Sequence, residues 1–101
     1  MKIKMTRSSG NVFKDLGFSA EEAEHLKIRS RMMAHLRELI ASRGLTQADA
    51  AALFGVTQPR VSDLVRGKID LFSIDTLVGM LSHAGVKVKF TLSETSRSRA
   101  A

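Results

Sequence analysis

Apolar residues recur at helical spacing over the first long stretch of the chain. They stand three to four positions apart and fall on one face of a helix: Ile28, Met32, Leu36, Leu39 and Ile40. Ser19 followed by Glu22 has the spacing of a capping box, which predicts that the helix begins there. Gly44 ends the pattern. The spacing leaves open whether residues 20–42 form one helix or two.

The stretch from Thr46 to Lys68 predicts two short helices joined by a tight turn. Thr46 is a favourable N-cap for the first helix, and Gly55 supplies the positive φ that a sharp helix exit requires. Thr57 caps the second helix, and Pro59 lies in its first turn, where its missing N–H removes no hydrogen bond.

Both short helices carry apolar residues where they must face a common core: Ala50, Phe54, Val56, Val61 and Leu64. The second helix is polar or solvent-tolerant in between, at Gln58, Pro59, Arg60, Ser62, Asp63 and Arg66. A helix that is held from behind, with short hydrogen-bonding side chains in front, suits the major groove of DNA. An ordinary helical hairpin is the alternative, but the small Ala51, the turn at Gly55 and the apolar anchors favour DNA.

The last third of the chain predicts one more helix and then a strand. Ser73 is the N-cap of this helix and Gly85 ends it, with a buried stripe between them: Ile74, Leu77, Val78 and Leu81. Residues 86–93 alternate, with Val86, Val88, Phe90 and Leu92 on one face and Lys87, Lys89 and Thr91 on the other. One strand cannot satisfy its own backbone, so it needs the N-terminal segment, a partner protein or, as we expect, a second copy across a dimer.

The central stretch resembles the helix-turn-helix of the XRE family, whose best-known members are the lambdoid phage repressors and Cro. The matching residues are Gln47, Ala51, Gly55, Val56, Val61, Leu64 and Arg66-Gly67-Lys68. The flanking runs NVFKDLG and LFSIDTLVGMLSHAG are similar to a subgroup of short XRE proteins, many of them HigA-like antitoxins paired with RelE-type toxins. The resemblance implies an all-α, lambda-repressor-like domain of four to five helices, to which the pattern adds the short C-terminal β-strand.

The chain therefore divides into four predicted parts. They are an N-terminal arm (1–18), a helical domain (19–85) with the helix-turn-helix at 46–68, a C-terminal strand that serves dimerisation (86–93), and a disordered tail (94–101).

Charge favours a polyanionic partner. Lys and Arg total 16 against 10 Asp and Glu, which gives a formal net charge of +6. The absence of cysteine excludes disulfides and thiolate metal sites and is compatible with a reducing cytoplasm. No apolar run approaches the roughly 18 residues of a membrane span and no signal-peptide pattern occurs, so we expect a cytoplasmic protein without a membrane partner.

Catalytic chemistry is not indicated. Glu22 and His25 form a single E-x-x-H pair, whereas carboxylate-bridged metal sites need further carboxylates and usually a second such pair. No serine lies in a nucleophile elbow, and Gly55 and Gly67 stand apart from any phosphate-binding loop. We expect no enzymatic activity, no cofactor and no metal.

Four residues at the helix starts, and Ser62 one turn further on, are the first candidates for DNA contacts. Gln47 would donate to a phosphate, helped by the helix N-terminus, and Thr57 would touch the backbone. Gln58 is the best candidate for base recognition, because its amide can pair bidentately with adenine. Ser62 can reach a base or a phosphate, and Pro59 offers apolar contact to a thymine methyl group.

Charged residues complete the predicted interface. Arg66 and Lys68 are expected at phosphates, and Arg60 at either guanine or phosphate. Asp63 would be repelled by the DNA backbone unless it pairs with Arg60 or Arg66, or accepts from cytosine.

These features predict a homodimeric repressor that binds double-stranded DNA at an inverted repeat. The resemblance further implies an antitoxin that represses its own operon and masks a RelE-type toxin. Two alternatives remain: a stand-alone or phage-type repressor without a toxin, and a protein–protein adaptor that has lost DNA binding.

Overall fold

The computed structural model describes residues 16–94. Its elements are the helices α1 (Ala20–Arg43), α2 (Gln47–Phe54) and α3 (Gln58–Val65), a 3₁₀ turn (Ile69–Leu71) and helix α4 (Ile74–His83). Most of the predicted arm and nearly all of the predicted tail, residues 1–15 and 95–101, lie outside the described residues.

Helix α1 is one continuous helix of 24 residues, which answers the question that the sequence left open. It begins with the predicted capping box: the Ser19 hydroxyl accepts from the Glu22 N–H, and the Glu22 carboxylate accepts from the Ser19 N–H, both at 3.1 Å. Within residues 16–94, no helix combines the length and apolar character needed to cross a membrane.

The other three helices begin at their predicted caps. The hydroxyl groups accept from backbone N–H groups three residues later: Thr46 from Asp49, Thr57 from Arg60 and Ser73 from Thr76. These bonds satisfy donors that a helix start otherwise leaves unpaired.

Helix α2 ends in a Schellman motif at the predicted turn. The Val56 N–H donates to the Ala51 carbonyl at 3.0 Å, and the Gly55 N–H donates to the Ala52 carbonyl at 3.4 Å. Gly55 has φ +70°, a conformation that residues with a Cβ rarely adopt. The turn that orients α3 relative to α2 therefore depends on glycine.

A hydrophobic core lies between the helices, and it contains the predicted anchors of the helix-turn-helix. Val56, among those anchors, is only partly buried at its edge. The buried members of the core are Met32, Met33, Leu36, Ala50, Ala51, Phe54, Val61, Leu64, Phe72, Leu77, Met80 and Leu81.

The buried stripe of α4 is rotated slightly from the predicted one. Met80 is 2% exposed and belongs to the core, whereas Val78 is 37% exposed. Leu77 and Leu81 are buried as predicted, and Ile74 is partly buried against the core. The expectation for Val78 was wrong because the helix faces the core through Met80 instead.

The predicted C-terminal strand is also wrong: between residues 16 and 94 the chain forms no β-ladder, and residues 86–94 have no regular structure. Val86 and Val88 pack against the helical core, whereas Phe90 is 74% and Leu92 is 85% exposed. Alternating side chains define a face that could be buried, but β-structure also requires a second backbone to receive the hydrogen bonds. The described part of the chain supplies none.

Candidate nucleic-acid interface

Helix α3 is anchored on one side and open on the other. Val61 and Leu64 are 0% exposed and fix its inner face to the core. At 100° per residue, Pro59, Ser62 and Arg66 lie on the opposite side of the helix. Pro59 and Arg66 are exposed and Ser62 is half-buried, so this outer face is accessible.

Gln58 lies at the first position of α3 and is exposed, next to its cap Thr57. Thr57 is exposed as well, and its hydroxyl accepts from the Arg60 N–H at 3.4 Å. Gln47 is likewise the first residue of α2 and is exposed. The predicted contacts at both helix starts are therefore available to a ligand.

Arg60 is directed toward the protein itself. Its guanidinium donates to the Leu71 carbonyl at 2.8 Å and lies 5.2 Å from the centre of the Phe72 ring. Phe72 is 1% exposed, so the contact joins α3 to a buried residue of the segment 69–72, which we call the connector. These contacts hold the connector against α3. Neither of the DNA contacts predicted for Arg60, to guanine or to phosphate, would require them.

Arg29, on α1, also binds the connector. One of its guanidinium nitrogens donates to the carbonyls of Ile69 and Phe72 at 3.1 and 3.3 Å. The Arg29 side chain is partly buried, so it does not belong to the solvent-exposed face of α1. A signal was available: Arg29 stands three residues after the buried Leu26 and four before the buried Met33.

Asp63 has a partner that differs from both cations expected for it. Its carboxylate lies 4.0 Å from the Lys68 ammonium group, and both side chains are partly exposed. An ion pair at this distance and exposure contributes little to stability. It does lower the repulsion that an aspartate on α3 would exert on a phosphate backbone.

Between residues 16 and 94, the structure contains no group of three or more His, Cys, Asp or Glu side chains that could hold a metal ion. The chemistry of the outer face of α3 is instead that of amide, hydroxyl and guanidinium groups, which bind base edges and phosphates.

Two capped helices joined through a glycine, with the second held by its inner face, form a helix-turn-helix. Residues 12–93 match the model of a family described as a helix-turn-helix domain, and the chain belongs to this family. The chain is 30% identical over 91 residues, which are 89% of its length and 90% of the relative's, to a Mycobacterium tuberculosis protein named as antitoxin HigA2.

A solved structure named as an XRE family transcriptional regulator is 35% identical to the chain. The match covers 79% of this chain and 90% of that one, with a TM-score of 0.68. Together the matches confirm the resemblance to the XRE family and its HigA-like members. The chain is a DNA-binding helix-turn-helix regulator of the XRE type, a class whose members are generally not enzymes.

Proposed function

We propose that this regulator is the antitoxin of a type II toxin–antitoxin pair and represses its own operon as a homodimer. The observation that carries the DNA-binding part is the accessible outer face of α3, backed by Val61 and Leu64 at 0% exposure. The antitoxin role is supported by the match to a protein named as antitoxin HigA2, which extends over 89% of the chain.

In the proposed complex the outer face of α3 lies in the major groove. The Gln58 amide pairs with adenine, Ser62 reaches a base or phosphate one turn later, and Pro59 contacts a thymine methyl group. The exposure of Gln58 and Pro59 supports these assignments. Arg60 stays on the connector, because leaving it would break the bond to Leu71 and the contact with Phe72.

Phosphate contacts flank the groove on both sides. Gln47 and Thr57 bind the backbone at the starts of α2 and α3, where unpaired N–H groups add favourable electrostatics. Arg66 and Lys68 bind it at the far end of α3, and Asp63 stays paired with Lys68.

A symmetric pair of these domains would present two α3 helices to one face of the duplex. Helix-turn-helix dimers place their recognition helices about 34 Å apart, one turn of DNA, so the operator should be an inverted repeat. We further propose that a RelE-type toxin is the protein partner.

Gel retardation on the promoter upstream of the protein's own gene tests the DNA-binding part. We expect retardation at protein concentrations at least about 1000-fold lower than for a scrambled duplex of equal length at physiological salt. Equal retardation of the two duplexes would contradict an operator-specific repressor, and no retardation of either would favour the adaptor alternative.

Co-expression with the neighbouring open reading frame tests the antitoxin part. We expect a small protein that co-purifies with this chain and arrests growth when expressed alone. A neighbour that neither binds nor arrests growth would leave a stand-alone XRE repressor, the function that the name of the solved relative supports.

A further inference from the structure

Arg37 on α1 reaches the far end of α3. One of its guanidinium nitrogens lies 3.3 Å from the point where a Cβ on Gly67 would stand. Arg37 and Gly67 also line the same shallow surface hollow, together with Ser30, Met33 and Ile69. An exposed cation from a distant part of the sequence therefore lies directly against Gly67, which follows the C-cap of α3.

Gly67 stands between two further cations, Arg66 and Lys68, and both are exposed. Three cations therefore border Gly67, Arg37 through space and Arg66 and Lys68 as its neighbours along the chain, and we call these three residues the closing cluster. Asp63 offsets part of the Lys68 charge at 4.0 Å. The remaining two cations keep the group positive.

Among residues 16–94, neither Arg37 nor Arg66 has an ion-pair or side-chain hydrogen-bond partner. Arg29 and Arg60 differ from these two arginines, because their guanidinium groups donate to carbonyls of the connector. Arg37 and Arg66 both border Gly67 near the end of a helix that can enter DNA, and guanidinium groups without internal partners are suited to an external anion.

We propose that Arg37 belongs to the DNA interface and that the closing cluster is one phosphate-binding site, with Arg37 contributed by α1. The proposal rests on the proposed orientation of α3 in the major groove. Its ligand is a DNA backbone phosphate, bound independently of base sequence, so the cluster sets affinity and register and leaves base choice to α3.

The dependence of DNA affinity on salt tests this proposal, because each phosphate contact contributes about 0.9 to the slope of log K against log salt. Arg37→Gln is expected to reduce the magnitude of the slope by about 0.9, equally on the promoter duplex and on a scrambled one. Over the tenfold range from 1 M to 0.1 M salt, this amounts to about eightfold weaker binding at 0.1 M.

Two variants serve as controls. Arg37→Lys keeps the charge and is expected to retain the slope. Lys27→Gln removes one charge from the same helix at a residue that pairs with Glu24 at 3.2 Å, ten positions and about 15 Å from Arg37. It is expected to leave the slope unchanged, which separates a local contact from an effect of net charge.

An unchanged slope for Arg37→Gln, with a reduced slope for Arg66→Gln, would overturn the role of Arg37 and leave the regulator proposal intact. A lower melting temperature with an unchanged slope would also overturn it, since Arg37 would then serve only the negative end of α3. Failure of the unaltered protein to retard any duplex would instead refute DNA binding as a whole.

Discussion

At the scale of single residues, Arg60 and Arg66 differ in what their guanidinium groups contact, although both lie at α3. Arg60 donates to the Leu71 carbonyl and lies over Phe72. Arg66 is exposed and has no side-chain partner in the described part of the chain. The first arginine therefore stabilises the fold, and the second is available for DNA.

Replacing each arginine by methionine separates the two roles. Arg60→Met is expected to lower the free energy of unfolding by about 1–2 kcal/mol, because it removes a charged hydrogen bond and a cation–π contact. Arg66→Met is expected to change it by less than about 0.5 kcal/mol, as is usual for an exposed substitution. Urea denaturation measures both values.

The slope of log K for DNA binding against log salt should respond in the opposite way, changing for the Arg66 variant and not for the Arg60 variant. Arg66→Met is expected to reduce its magnitude by about 0.9, whereas Arg60→Met leaves it unchanged. A reduced slope for Arg60→Met at unchanged stability would show that Arg60 leaves the connector to bind DNA.

Residue roles were predictable from sequence only where position along a helix decides them. Val61 and Leu64 are buried as their spacing indicates. The partners of Arg29 and Arg60 were not predictable, since the carbonyls that they bind lie 40 and 11 residues away in the chain. Only the tertiary structure brings the connector within hydrogen-bond distance of both arginines.

At the scale of elements, helix starts and ends were predicted well because their signals are local. Ser19, Thr46, Thr57 and Ser73 all cap helices through hydroxyl groups that bind an N–H three residues away. The strand failed because its pattern describes side chains, whereas its formation depends on a second backbone. Residues 86–94 therefore follow the core through Val86 and Val88 and then leave it.

The turn between α2 and α3 provides the prediction for this scale. Gly55 has φ +70°, and a Cβ there would lie 2.8 Å from the His83 ring, whose Nδ1 donates to the Leu53 carbonyl at 3.0 Å. Gly55→Ala is expected to cost about 2–3 kcal/mol, of which about 1–2 is backbone strain and the rest displacement of His83.

Gly44→Ala is the matched control, because Gly44 has φ +61° and no neighbouring atom lies within 4 Å of the position that a Cβ would take. It is expected to cost only the strain, about 1–2 kcal/mol. Equal losses for the two glycines in thermal or urea unfolding would show that the His83 ring moves aside at no cost. If the His83 ring accounts for the larger loss, the cost of Gly55→Ala measured in a His83→Ala background is expected to fall toward that of Gly44→Ala.

At the scale of the whole molecule, α1 and α4 form the support on which the helix-turn-helix is mounted. Helix α1 packs against α4, the connector and α3, and α2 packs against α3 and α4. The residues of α3 that face away from this support need no internal partner. The sequence predicted this arrangement through its resemblance to the XRE family, whereas the symmetric dimer and its operator stay predictions.

The most direct test of the central claim is selection of duplexes from a random-sequence library by the unaltered protein and by Gln58→Ala. We predict that the unaltered protein selects an inverted repeat with half-site centres about one helical turn apart. Gln58→Ala should lose discrimination, about 1–3 kcal/mol, at one symmetric position in each half-site and keep the rest. Selected sequences without two-fold symmetry would contradict a dimer that presents two outward α3 helices to DNA. Identical selected sequences for the two proteins would contradict a base contact by Gln58.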